Sequence, residues 1–119
     1  MKLVVLPAPG SGLTSMERTG QLDRLFVHLG HYANAFDLTY VSWGELEKEA
    51  RLWKVFAQQT GAQLVFAAQR WRALRECDVL RCMNLRAATA ALPVFRPFIV
   101  SLGADYAAME TIARSNGVH

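Results

Sequence analysis

Cysteine is scarce in this chain. Cys77 and Cys82 are the only two, and their spacing matches no zinc or redox pattern. Cys82 falls inside an expected strand, where a reduced thiol packs as a small hydrophobe. Long apolar runs are also missing, because Arg or Asp interrupts every candidate before it reaches the length of a membrane span. The N-terminal apolar segment, Leu3 to Leu6, is too short for a signal-peptide core. The expected location is therefore cytoplasmic, with contact at the inner membrane face left open by a basic stretch described below. Linkers, repeats and low-complexity segments are absent. Hydrophobic residues make up 52% of the chain and charged residues 19%, which excludes a disordered protein. A chain of 119 residues holds one domain, residues 1–119, around a single core.

What is present is alternation. Residues 2–6 read as a buried parallel strand, a continuous apolar run, followed by the loop Pro7-Ala-Pro-Gly-Ser-Gly-Leu-Thr14. Thr14 is expected to cap one long helix, with Glu17 completing a capping box. Its apolar stripe is Leu22, Leu25, Phe26, Leu29, Tyr32, Ala33 and Phe36, and Gly20 and Gly30 weaken it by roughly 1 kcal/mol each relative to Ala. Asp37 to Trp43 is the second strand. Gly44 starts a second helix with Leu46, Ala50, Trp53, Phe56 and Ala57 facing inward. Glu45, Glu47 and Glu49 near its start suit the helix dipole, and Gly61 closes it.

Gln63 to Ala67 is the third strand, and residues 69–76 form a short helix or irregular turn. Asp78 to Met83 is the fourth strand. Asn84 caps a helix through Leu92, which Pro93 stops. Pro97 to Leu102 is the fifth strand, and Asp105 caps a last helix that Gly117 ends. The pattern predicts an α/β fold: a three-layer Rossmann-like or flavodoxin-like domain, about five parallel strands covered by helices on both faces. Right-handed crossovers put the loops 7–14, 42–45, 67–70, 83–84 and 102–106 along one edge. Any binding or active site should be drawn from that edge.

The first loop carries Gly10-Ser11-Gly12 with Ser15 three positions on. It lacks the acid that a dinucleotide fingerprint needs at the end of strand two, and it has no Lys-Ser/Thr pair of a P-loop. Two readings remain: a backbone cradle for an anion or a sugar hydroxyl, or a plain turn that needs Gly. His28 and His31 have metal spacing but no third ligand, so they read as packed or exposed side chains; no metal and no cofactor is expected. Asp105 can act as a base or bind a hydroxyl; its position is fully explained as an N-cap, and the two roles can coexist.

Net charge is +3. Arg70, Arg72, Arg75, Arg81 and Arg86 crowd one stretch, which is either an ordinary solvated face or a contact for phosphate or anionic lipid. No nucleic-acid motif accompanies it.

Four stretches, taken in order, resemble the N-terminal half of GT-B nucleotide-sugar glycosyltransferases. They are Leu6-Pro-Ala-Pro-Gly-Ser-Gly12 before Glu17-Arg18-x-Gly20-Gln21-Leu22; Phe36-Asp37-Leu-Thr-Tyr-Val41; Asp78-Val-Leu-Arg-Cys-Met-Asn84-Leu-Arg-Ala-Ala; and Arg96-Pro-Phe-Ile-Val-Ser-Leu-Gly103-Ala-Asp-Tyr106 with Ile112-Ala113-Arg114. The resemblance implies an acceptor-side Rossmann-like domain of an enzyme of the hexosyltransferase type, which transfers a sugar from a nucleotide sugar to a hydroxyl acceptor. By position, Gly10, Ser11 and Gly12 would line the cleft near the donor phosphates. Asn84 and Asp105 would sit on the acceptor side, with Gly103 and Tyr106 lining the same cleft.

Leu102-Gly103-Ala104 stands where many retaining members carry a His, and the donor domain is not in these 119 residues. The chain alone is expected to be inactive, and to self-associate or dock a donor-domain chain. The alternative is a stand-alone flavodoxin-like domain that binds a ligand or a protein without catalysis.

Overall fold

The computed structural model describes residues 1–91 and 98–100. Asp105, Gly103 and Tyr106, the Pro93 stop, the ends of the expected fifth strand and the expected last helix lie outside the described residues. The elements are β1 (Lys2–Leu6), α1 (Leu13–Arg18), α2 (Leu22–Ala33), β2 (Asp37–Ser42), α3 (Leu46–Thr60), β3 (Gln63–Phe66), α4 (Arg70–Glu76), β4 (Val79–Cys82), α5 (Leu85–Ala91) and β5 (Phe98–Val100). One 3-10 turn, Ala67–Gln69, leads into α4.

The chain is α/β with a parallel sheet in the order β3-β2-β1-β4-β5. Four strands of four to six residues form its body. Of the expected fifth strand, Phe98–Val100 lie within the described residues and pair with β4.

β1 lies at the centre, between β2 and β4. Its run Leu3-Val-Val-Leu6 is at most 3% exposed, because both faces of a parallel strand are covered. Leu3 and Val5 join the cluster built from α1, α2, α3 and β2, around Leu13, Leu29, Tyr40, Trp53 and Phe56. Val4 and Leu6 join the opposite cluster, with Leu74 of α4 and Ala87 and Ala91 of α5. Helices therefore cover both faces of β1, as period-two alternation requires.

The first cluster is aromatic. Phe26 stacks on Phe56 at 5.0 Å, and Trp53 meets Phe56 at 4.7 Å and Tyr40 at 5.5 Å. The Trp53 indole donates to the Ala62 carbonyl, joining α3 to the approach of β3.

The expected first helix is two helices. Gly20, at φ +74, ends α1 with a paired closure: Gly20 N–H donates to Glu17 O and Gln21 N–H to Met16 O. This is the six-to-one and five-to-two pattern that a left-handed glycine allows. Gly20 is thus a stop rather than a weakness, whereas Gly30 stays inside α2. The stripe from Leu22 to Phe36 packs inward as its spacing predicts.

The capping box does not form. Gly12 is the N-cap of α1 and no side chain of its own segment caps it; Thr14 lies inside the helix. On α3, Ala50 is exposed and Glu49 is buried instead. Glu45, not Gly44, precedes the first helical residue. Gly61 closes α3 at φ +72, donating to Ala57 O at 2.7 Å.

Candidate functional site

The strand order fixes where a site can form. β1 pairs with β4, with Leu6 opposite Cys82, and Met83 N–H donates to Leu6 O. The loop after β1 and the residues after β4 therefore leave the sheet side by side. Successive connections run outward in opposite directions from this point, and open α/β sheets bind ligands outside the strand ends at such a reversal. Gly10, Ser11, Gly12 and Asn84 all lie at this end.

The β1 loop opens with a tight turn. Ser11 N–H donates to Ala8 O at 2.9 Å, Pro9 holds the second position and Gly10 the third at φ +86. Proline followed by a left-handed glycine defines a type II turn. Gly10 is exposed at its tip. Gly12 is buried and begins α1. The loop thus has a fixed backbone, with Gly10 required by conformation and Gly12 by space.

The space is taken by Glu49. Its carboxylate presses against both Gly12 and Gly44, and a Cβ on either glycine would run into it. Oε2 accepts the Thr14 backbone N–H at 3.1 Å, so α3 supplies the cap that α1 lacks. Oε1 accepts no hydrogen bond of good geometry. Burial pushes the Glu49 pKa up, against the backbone N–H groups of Thr14 and Leu13 and the hydroxyls of Ser42 and Thr14, which pull it down.

Sequence reading assigned Glu49 only a dipole role. The signal was its position four residues before Trp53 and seven before Phe56, on the inward stripe of a 3.6-residue helix.

A second tie joins the same loops. Trp43 Nε1–H donates to Pro7 O at 2.9 Å. The Arg70 guanidinium lies 5.1 Å from the centre of the Trp43 ring and 4.2 Å from that of Trp71. It donates to Ala67 O at 2.8 Å and, through Nε, to Ala90 O at 3.4 Å. Arg70 thus links the ends of β2 and β3 to α5. Asn84 is a helix cap as its position predicts: its Oδ1 accepts Ala87 N–H at 2.9 Å.

The five arginines do not form one face. Arg70 is tied inward. Arg72 pairs with Glu76 on the exposed side of α4, and Arg75 and Arg86 are exposed. Arg81 lies across the sheet, over the Tyr32 ring of α2 at 5.3 Å. Close by, His28 is held below its ordinary pKa by burial, with Arg81 and His31 adding to the effect.

A cleft of about 840 Å³ runs from Lys2, Asp37 and Gln63 at the start of the strands to Gln69 and Trp71 beyond the carboxyl end of β3. Its charges are mixed. No three His, Cys, Asp or Glu side chains gather as a metal set among the described residues. No described helix is long and apolar enough to cross a membrane. Cys77 and Cys82 are both free and buried.

These features define the class: an α/β domain with a parallel sheet, whose candidate site is the loop cluster at the carboxyl ends of β1, β2 and β4. No protein-family model matches the chain, and neither a curated protein nor a solved structure matches it.

Proposed function

We propose that this chain is the acceptor-side, Rossmann-like domain of a nucleotide-sugar glycosyltransferase of the GT-B type, contributing one wall of a cleft and inactive without a donor domain. The observation that carries the reading is the adjacency of the β1 loop and Asn84 at the point where the strand order reverses. The order β3-β2-β1-β4-β5 supports the Rossmann-like member of the two expected folds. A flavodoxin-like order would set β3, not β4, beside β1. In this reading Gly10, exposed at the tip of its turn, lines the cleft near the donor phosphates with Ser11 and Gly12.

Asp105, Gly103 and Tyr106 belong to the same proposed cleft on the strength of the sequence resemblance alone. The partners in this reading are a nucleotide sugar and a hydroxyl acceptor in the completed enzyme, and a donor-domain chain or a second copy. Among the described residues, β3 has β2 as its strand neighbour on one side only, and open edges favour pairing. Of the five crowded arginines, Arg72, Arg75 and Arg86 are exposed, and in this reading they are the contact with an anionic membrane surface of a cytoplasmic, peripheral enzyme.

The test is titration of the ¹⁵N-labelled chain with nucleotide sugars and with oligosaccharide acceptors, followed by protein-observed NMR. Acceptor binding that perturbs Asn84, with little nucleotide-sugar binding, is the expected result. Tight nucleotide-sugar binding with turnover would sink the reading that the donor half is missing. Sedimentation with anionic and neutral liposomes checks the membrane contact, which falls if lipid charge makes no difference.

A further inference from the structure

Glu49 is a carboxylate where packing alone would favour an apolar side chain. It is 0% exposed, on the helix stripe that also carries Trp53 and Phe56. A buried charge costs more than it returns unless its partners are well placed, and here two loops have given it room. Gly12 from the β1 loop and Gly44 from the β2 turn both lack the Cβ that would displace it. Thr14 donates to it, and the Leu13 N–H and Ser42 hydroxyl act on it from the same two segments. The Trp43–Pro7 hydrogen bond crosses between the same loops.

We propose that Glu49 is the positioning residue of the candidate cleft: its carboxylate holds the Pro7–Gly12 loop against the Ser42–Gly44 turn, and its ionisation sets how firmly. The consequence for sugar transfer rests on the glycosyltransferase reading; the tie itself does not. Bonds from backbone N–H to an ionised acceptor are roughly twice as strong as neutral ones. Burial outweighs this and favours the neutral carboxyl, so protonation tightens the start of α1 and the loop that precedes it, and ionisation loosens them.

The groups around the carboxylate do not duplicate this response. Tyr40, from β2, is kept neutral far above the physiological range by burial. The first turn of α1 brings no acidic side chain. Glu45 and Lys48, on the same helix, pair with each other out in solvent.

The experiment is an NMR pH titration of the whole ¹⁵N-labelled chain, following the Trp43 indole N–H and the amides of Gly12, Thr14 and Gly44. In the wild type these four signals should share one midpoint, above the ordinary glutamate value of 4.5. Glu49→Gln, which keeps the shape without the charge, should abolish that shared titration and leave the Trp53 indole unchanged. It should also slow amide exchange at Leu13 and Thr14 severalfold relative to the wild type above the midpoint, because the neutral side chain escapes the loosening that ionisation brings.

Glu49→Leu separates structure from charge: it should keep the fold but also lose the titration. The proposal is overturned if the wild-type signals do not titrate together, a measurement that needs no variant. It is equally overturned if they titrate in Glu49→Gln as in the wild type. No sugar enters these readouts, so a failure of the glycosyltransferase reading would leave them unchanged.

Discussion

The indole N–H of Trp43 donates to the carbonyl of Pro7 across 2.9 Å, so the residue after β2 holds the residue after β1. Trp43→Phe keeps the ring and deletes the donor. The expected cost is about 1 kcal/mol, the usual net worth of a hydrogen bond. Urea denaturation monitored by circular dichroism measures it, and an unchanged midpoint would mean that the bond carries no stability.

Arg70 contributes through shape as much as charge. Its planar group stacks over two indoles and reaches two carbonyls, a geometry that an ammonium cannot reproduce. Arg70→Lys should lose most of what Arg70→Ala loses, about 1–2 kcal/mol. If the lysine variant melts with the wild type, positive charge alone suffices at this position.

Two glycines should respond with opposite signs. Gly30 lies within α2 and an added Cβ meets nothing within 4 Å, so Gly30→Ala should stabilise by up to about 1 kcal/mol. Gly12→Ala drives a methyl into the Glu49 carboxylate and should destabilise, by about 1–3 kcal/mol as overpacking does. Pairing Gly12→Ala with Glu49→Ala should cost less than the two single costs combined. Strict additivity would remove the contact as the cause.

Buried Glu49 and half-buried His28 tilt stability in opposite directions with pH. The raised pKa of Glu49 means that its contribution is complete below the unfolded value of 4.5 and is lost as pH rises through the native value. The lowered pKa of His28 means that its contribution is complete above 6.5 and is lost as pH falls through the native value. Between these two reference values the slopes oppose. Melting curves should lose their fall with rising pH just above 4.5 in Glu49→Gln, and their rise on approaching 6.5 in His28→Gln. Parallel curves for wild type and variants would contradict both assignments.

The thiols should be silent in the native state. Both are buried, and burial, with Cys77 nearby, pushes the Cys82 pKa up to about 11. A thiol-reactive chromophore at mildly alkaline pH should label neither until denaturant is added, since the thiolate is the reacting form. Rapid labelling of folded protein would show an opening that reaches β4.

The elements were legible in the sequence wherever one signal dominated. The run Leu3–Leu6, the stripe Leu22–Phe36, Gly61 and Asn84 each had a single physical meaning, and the structure honours it. Gly20 was misread because an interior helix glycine and a helix-ending glycine look alike until the next turn's hydrogen bonds are known. Thr14 and Glu17 form a capping pattern, but a carboxylate from 35 residues away occupies the position first.

Glu49 was hidden for a related reason. Near a helix start, acidic residues are expected in solvent, and only the packing of Trp53 and Phe56 turns this one inward. The site loops were legible as an edge but not as neighbours, because the pairing of β1 with β4 is a long-range fact that periodicity does not carry.

The central place of β1 has a consequence for how the chain is made. Lys2 is bonded to Asp78, 76 residues further along, so the second side of the first strand has no partner until β4 has been made. β2 and β3 lie on the other side and emerge early, able to gather α1 to α3 and the aromatic cluster into a half-sheet during synthesis. The β4 side of Leu3 to Leu6 then waits as an uncovered apolar edge. The chain's window of greatest exposure to mispairing falls between the emergence of β3 and that of β4.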